Sequence, residues 1–285
     1  MDFEQVKTFL KVIEAGSFIA AGAKLGVTQS TISARIKELE SDLGHALFLR
    51  HKSGVTLTAS GRRFQPHAQT MIRVLRQARD DVALPADIRS VVSFGGQQGT
   101  WSNLLQEWTL DFRKNHPELG LRAVMGSMES LMLQLSDGVL DFVVMCSPHP
   151  RVGYTVEKLA DEAFVLVATD PDHKGVLEKD YVMIDWGPDF LEWHANQYPD
   201  FRSAALAVNQ GGLGLRLFMQ YGGAGYLPES LIADRNVKSR VHRVKGAPVY
   251  RRAVHVLYSP DFIDASVESA LESLREKAKA IPGRS

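Results

Sequence analysis

The sequence predicts an α/β protein carrying an all-α, winged domain at its N-terminus. Three observations support that expectation. Apolar residues recur at helical spacing in three successive segments of residues 3–43, punctuated by Gly16 and Gly26. Two short β-type runs around a basic turn follow them. From residue 90 onward, strand-like and helix-like segments alternate, the pattern of a layered sheet covered by helices. A chain of 285 residues, 45% hydrophobic and 23% charged, has apolar content for two domains at the usual length of about 100–200 residues each.

The first helix places Phe3, Val6, Phe9, Leu10 and Ile13 on one face and stops at Gly16. Ser17 caps the second, SFIAAGAKLG, whose Ala20, Ala21, Gly22 and Ala23 let helices cross closely. Thr28 caps the third, whose apolar stripe is Val27, Ile32, Ile36, Leu39 and Leu43. Its other face opens with Gln29, Ser30 and Ser33, side chains that compete for backbone hydrogen bonds and make a poor helix start. Helix, short turn, helix is the helix-turn-helix arrangement, whose second helix lies in a DNA major groove. The poor helix formers then acquire a purpose. Gln bonds adenine bidentately, while Ser and Thr reach phosphates, base edges and thymine methyls. Leu47 to Leu49 and Val55 to Leu57 flank a turn at His51, Lys52, Ser53 and Gly54 and read as a two-stranded wing.

A long helical segment runs from Thr58 to about Leu84 and ends at Pro85. Its residues Phe64, Ala68, Met71, Leu75, Ala78 and Val82 are spaced 4, 3, 4, 3, 4, a heptad seam. Such a seam pairs with a second chain; the alternative is a helix packed on its own domain. IRSVVSFGG, LGLRAVMG and LDFVVMCS then read as strands, separated by the helices TWSNLLQEWTLDFRKNHP and ESLMLQLSDG. FVLVATD, YVMIDWG, AALAVNQ, AGYLP and AVHVLYS are short strands, GLRLFMQYGG a helix between two of them, and VESALESLREKAKAI the terminal helix. The alternation predicts a mainly parallel sheet with ligands beyond the carboxyl ends of its strands.

Charge and motif content narrow the function. Residues 1–84 hold twelve Lys/Arg against eight Asp/Glu, a net of +4, on a chain whose total is zero. A basic N-terminal third favours a nucleic-acid partner. Cys146 is the single cysteine, so no intramolecular disulfide or cysteine-based zinc site forms, and it reads as a small buried hydrophobe. The N-terminus has neither the basic nor the apolar region of a signal peptide, and no apolar run is long enough to cross a membrane, so a cytoplasmic location is expected. There is no metal-ligand spacing, nucleophile elbow or paired-carboxylate motif, so neither an enzyme nor a cofactor is expected. GGQQGTW at 95–101 lacks the Lys-Ser/Thr of a phosphate loop, and GGLG at 211–214 lacks dinucleotide spacing.

SFIAAGAKLGVTQSTISARIKELESDLGHALFLR at 17–50 and LTASG at 57–61 resemble the LysR-type transcriptional regulators, as do GVLDFVVM and GGAGYLP more diffusely beyond. FQPHAQT, the Arg35 position and DWGPDF resemble a subgroup that represses flagellar master genes in enteric bacteria. The resemblance implies a winged helix-turn-helix over 1–58, a dimerising linker helix over 59–86 and an effector-binding domain over 87–285. The last would be two-lobed like a periplasmic binding protein, with lobe 1 over about 89–160 and 262–285 and lobe 2 over about 161–261. It also implies a homodimer or homotetramer on a double-stranded DNA operator, a small-molecule effector, and RNA polymerase as a further candidate partner. Two departures stand out. Gly22 replaces the usual Ala, which loosens its helix, and Ala34 stands where many members carry Arg, which shifts the basic base-reading position to Arg35.

The candidate DNA-contacting residues are Ser17, Thr28, Gln29, Ser30, Thr31, Ser33 and Arg35, with Arg50, His51 and Lys52 suited to the phosphate backbone. The candidate effector-contacting residues follow strand ends: Gln97, Gln98 and Thr100, then Ser127 and Met128, then Cys146 and Ser147. Asn209 and Gln210 close the pocket from the second lobe, while the Trp186-Gly187-Pro188-Asp189 turn either lines the cleft or shapes a loop, the loop being favoured. A competing reading keeps DNA binding without an effector, as a constitutive repressor or architectural protein.

Overall fold

A computed structural model describes residues 1–51, 54–148, 153–177, 179–232, 237 and 239–280. The chain divides into two compact units, Met1–Pro85 with Ser136–Val139, and Ala86–Leu135 with Leu140–Ser285.

In unit 1, α1 (Phe3–Ala15), α2 (Phe18–Leu25) and α3 (Gln29–Leu43) precede a wing of β1 (Phe48–His51) and β2 (Gly54–Leu57), then α4 (Ala59–Val82). The helix starts follow capping chemistry. Asp2 and Gln5 form a reciprocal capping box, Ser17 accepts from the Ala20 N–H, and Thr28 accepts from the Thr31 N–H. Each of the three helices ends at a glycine in the left-handed region: Gly16, Gly26 and Gly44. Phe9, Val12, Ala21, Ile32, Ile36, Leu39 and Ala68 are wholly buried, with the Phe9 ring 5.2 Å from Phe48 and 5.1 Å from Phe64. Gly22 does more than loosen its helix: a methyl there would lie 2.8 Å from the Val27 carbonyl oxygen, so glycine permits the close turn into α3. The wing is fastened by the Val55 N–H donating to the Gly16 carbonyl at 3.0 Å.

The α4 seam does not lie on one open face. Phe64 and Ala68 are buried in the unit's own core along with Ile72, Leu75 is half-buried, and Met71, Ala78 and Val82 are exposed together with Val74. The α1–α4 packing captures the first two positions, with the Phe64 ring against Phe9 and Ala68 in the same core. A cavity of about 280 Å³ opens between α1 and α4, lined by Phe3, Leu10, Ile72 and Leu75 among others.

Unit 2 contains β3 (Ser90–Gly96), α5 (Gln98–Thr100), a π-turn (Trp101–Leu105), α6 (Gln106–Asn115), β4 (Leu119–Met125), α7 (Met128–Ser136), β5 (Phe142–Cys146) and β6 (Thr155–Ala168). There follow β7 (Val182–Ile184), α8 (Pro188–Gln197), β8 (Leu206–Val208), α9 (Gly211–Tyr221), β9 (Ala224–Pro228), α10 (Glu229–Ile232), β10 (His242–Arg243), β11 (Tyr250–Tyr258) and α11 (Ala265–Ala280). The main sheet has the order β10-β6-β11-β5-β3-β4 with β9 on β6. It is mixed rather than mainly parallel: β3 pairs parallel with β4 and β5, but β11 and β6 run antiparallel to each other and to their other neighbours. These two long strands cross between two cores. One gathers Val92, Phe94, Trp108, Phe142, Val256 and Leu271; the other gathers Phe164, Leu166, Tyr181, Ile184, Phe190 and Tyr226. The glycines of GGLG serve close packing: side chains at Gly211 and Gly214 would meet Trp186 at 2.1 Å and Ile184 at 2.5 Å.

Candidate functional site

On α3 the apolar stripe turns Ile32, Ile36 and Leu39 inward, and Thr28, Gln29, Ser30, Ala34 and Lys37 are exposed. Thr28 holds the first turn together, its hydroxyl 2.8 Å from Ser30 Oγ and 2.9 Å from Thr31 Oγ1. Ser33 and Thr31 are half-buried at the edge of this face. Ser17 is committed as the α2 cap, its Oγ 3.1 Å from the Ala20 nitrogen. Arg35 departs from its expected role. Its Nη1 lies 3.1 Å from Glu4 Oε2 and donates to Thr8 Oγ1 at 3.3 Å, so the guanidinium is drawn onto α1 and away from the exposed face. The basic side chain on that face is Lys37, one turn beyond Ser33 and two beyond Ser30. In the wing, the Arg50 guanidinium stacks 4.3 Å from the Phe18 ring centroid, and His51 Nε2 is 3.0 Å from Thr56 Oγ1. Lys52 lies outside the described residues.

In unit 2 the carboxyl ends of β3, β4 and β5 meet, with Gly126 N–H donating to the Gly96 carbonyl and Gln97 N–H to the Val144 carbonyl. Gln97 Oε1 accepts from the Cys146 N–H at 2.7 Å. Thr100 is buried, and its hydroxyl is spent on the Gln97 and Val144 carbonyls, at 2.8 and 3.4 Å. That geometry makes it a brace for the loop rather than a contact surface. Ser127 caps α7, with its Oγ 3.3 Å from the Ser130 nitrogen, and Met128 packs on the adjoining core. Gln210 caps α9 through the Leu213 N–H.

Among the described residues, side-chain links cross from one core's elements to the other's. Gln98 Nε2 donates to the Asn209 carbonyl at 2.7 Å, and Ser147 Oγ donates to Asp189 Oδ2 at 2.7 Å. Ser147 does so from a left-handed backbone, φ 49°, rare for a residue with a side chain. Beneath them Arg252, on β11, donates to Glu162 Oε2 at 2.8 and 3.1 Å, to the Trp186 carbonyl at 2.9 Å and to the Gly99 carbonyl at 3.2 Å. Its guanidinium also lies 4.6 Å from the Phe164 ring centroid, and a side chain on Gly99 would collide with it at 2.7 Å. Burial opposes the Arg252 charge, but Cys146 and Glu162 outweigh it and its pKa is raised. Burial pushes the Tyr250 hydroxyl beside it up to about 12.

Residues 3–62 match the bacterial regulatory helix-turn-helix protein of the lysR family, and residues 86–279 match the LysR substrate binding domain. The chain belongs to the LysR family. This LysR-type chain is a DNA-binding transcriptional regulator with a substrate-binding domain, not an enzyme. It is 30% identical over 241 residues to the HTH-type transcriptional regulator HdfR of Yersinia enterocolitica, covering 80% of this chain and 82% of that protein. Among solved structures it resembles full-length LysG from Corynebacterium glutamicum with bound effector Arg, at TM-score 0.61 and 18% identity, covering 98% of each chain. It also resembles full-length CbnR complexed with its target DNA, at TM-score 0.50 and 20% identity, covering 98% and 100%. At these identities the two structures establish the shared LysR fold.

Four residues of this LysR-type chain were absent from the candidates the sequence offered. Lys37 was findable from the helical wheel of α3, where it falls between Ser33 and Ser30. Asp189 stands in a segment where a loop is favoured over a cleft lining, yet Pro188 opens α8 there and carries Asp189 in its first turn toward Ser147. Arg252 and Glu162 lie 90 residues apart and meet only because β6 and β11 pair, register Arg252↔Glu162; no local signal marks them.

Proposed function

We propose that this regulator reads its double-stranded operator through the outer face of α3, and that a small molecule bound between the two cores of unit 2 alters that grip. One observation carries the DNA reading: α3 spends Ile32, Ile36 and Leu39 on the core while Gln29, Ser30 and Lys37 stay free of it. Gln29, in the first turn, takes the base-reading role through bidentate bonding to adenine, with Ser30 and Ser33 beside it on base edges or phosphates. Lys37 and the wing's Arg50 and His51 take phosphate contacts, which position the helix without specifying sequence. The CbnR structure with its target DNA and the LysG structure with its effector support this division of labour. In this reading the chain works as a homodimer or homotetramer joined through the outer stripe of α4, presenting paired α3 helices to two half-sites. RNA polymerase is a further partner where the operator adjoins a promoter.

The test begins with the operator, found by genome-wide footprinting of bound DNA. Gln29→Ala is expected to weaken operator binding by about 1–3 kcal/mol and leave binding to random DNA unchanged. Equal weakening on both would remove base reading from Gln29.

A second reading, regulation of DNA binding without an effector, is favoured by the two links across the cleft, since Gln98, Ser147, Asp189 and the Asn209 carbonyl already satisfy one another. Titration with small-molecule probes separates the two readings.

A further inference from the structure

The two walls of the cleft have opposite hydrogen-bonding character. The wall built on β3 and β5 presents donors, the Gln98 amide and the Ser147 hydroxyl; the facing wall presents acceptors, the Asn209 carbonyl and the Asp189 carboxylate. Charge sharpens the asymmetry. The cationic group at the cleft floor, Arg252, is neutralised by Glu162, and its remaining bonds go to the Trp186 and Gly99 carbonyls. Asp189, by contrast, is exposed, and among the described residues its hydrogen-bond partner is a neutral hydroxyl rather than a cation. An ionised carboxylate bonds a cationic donor more strongly than a neutral one. An anion entering the cleft would meet the Asp189 carboxylate and find the Arg252 charge already paired with Glu162.

We propose that the cleft takes a small molecule bearing a protonated amine, which replaces the Ser147 hydroxyl at Asp189, with an oxygen acceptor at its other end facing the Gln98 amide. This rests on the reading above that the cleft holds an effector. The Ser147–Asp189 link is then the closed, unliganded form of the site. Its donor sits on a left-handed backbone, a conformation of the kind found at ligand clamps, and entry of the amine releases it.

Calorimetric titration of the full-length chain tests this with two probe sets. Amine probes are ethanolamine, β-alanine, putrescine and L-lysine; acid probes without an amine are propionate, 3-hydroxypropionate, succinate and citrate. At least one amine probe is expected to bind saturably. Asp189→Asn, which keeps the size of the side chain and an acceptor for Ser147, is expected to weaken that probe at least tenfold. Ser147→Ala is expected to tighten it severalfold by removing the competing hydroxyl, a gain that a merely structural role would not produce. Thermal melts matching the parent chain's confirm that both variants are folded. Saturable binding of acid probes alone, or amine binding that ignores Asp189→Asn, overturns the amine assignment while leaving an effector cleft in place. Absence of saturable binding by either set counts against both the assignment and the effector reading.

Discussion

Two basic residues on α3, Arg35 and Lys37, stand two positions apart and have opposite fates. At 100° per residue, Arg35 falls about 60° from Ile32, beside the buried stripe, whereas Lys37 falls within the polar face. The Glu4 carboxylate on α1 completes the capture of Arg35. Lys37→Ala is therefore expected to weaken operator and random DNA alike and to lower the slope of log affinity against log salt by about one, read from binding isotherms at several ionic strengths. Arg35→Ala should leave both affinities unchanged. Its ion pair with Glu4 is partly exposed, so the same variant should lose less than about 1 kcal/mol in a denaturant melt. A drop in salt slope for Arg35→Ala would return it to the DNA face.

At the scale of an element, α4 shows how one heptad pattern is divided between the core and the surface. Its early positions Phe64 and Ala68 complete the core under α1, and its later apolar residues Met71, Val74 and Val82 stay exposed, Val82 at 90%. An open apolar stripe on a helix is stabilised by burial against another. Met71→Asp with Val74→Asp is expected to dissociate the assembly while leaving the thermal melt of the separated chain close to the parent's, which sedimentation and calorimetry together would show. Ala68→Asp should instead unfold unit 1, because a charge at a fully buried site costs at least about 3 kcal/mol. If the double variant sediments like the parent, the assembly uses another surface. Within unit 2, α8 illustrates the opposite difficulty. Its sequence PDFLEWHANQ follows a Gly and opens with Pro, which reads as a turn, although Pro at the first helical position is a helix start.

At the scale of the molecule, the second core of unit 2 is threaded by a polar network. Tyr181 Oη lies 3.0 Å from His194 Nε2, Tyr198 Oη 2.6 Å from Tyr226 Oη, and Tyr226 Oη donates to the Pro248 carbonyl at 2.9 Å. Burial lowers the His194 pKa from 6.5 to about 4. The unfolded chain therefore binds a proton that the folded chain refuses between those values. Stability attributable to neutral His194 is complete above pH 6.5, declines as pH falls, and is lost below about 4, amounting to on the order of 3 kcal/mol. Melts from pH 7 to pH 4 should show this decline, and His194→Gln should flatten it; an equal decline in the variant would place the titration elsewhere. The winged helix-turn-helix and the order of most strands and helices were legible in the amino-acid pattern, because periodicity, caps and glycine stops act over a few residues. Strand β6 was only half legible, since Glu157, Lys158, Asp161 and Glu162 interrupt its apolar run, and their acceptability depends on partners such as Arg275 and Arg252. The same holds for Arg35 and Arg252, whose charges are answered by residues remote in the chain, and for Asp189, whose hydrogen-bond partner Ser147 is equally remote. Local backbone chemistry thus settled which elements form and which helix offers a polar face. Which charges turn inward, which link the walls of the cleft and which remain for a partner was settled only by packing, because desolvation and pairing are properties of neighbours in space.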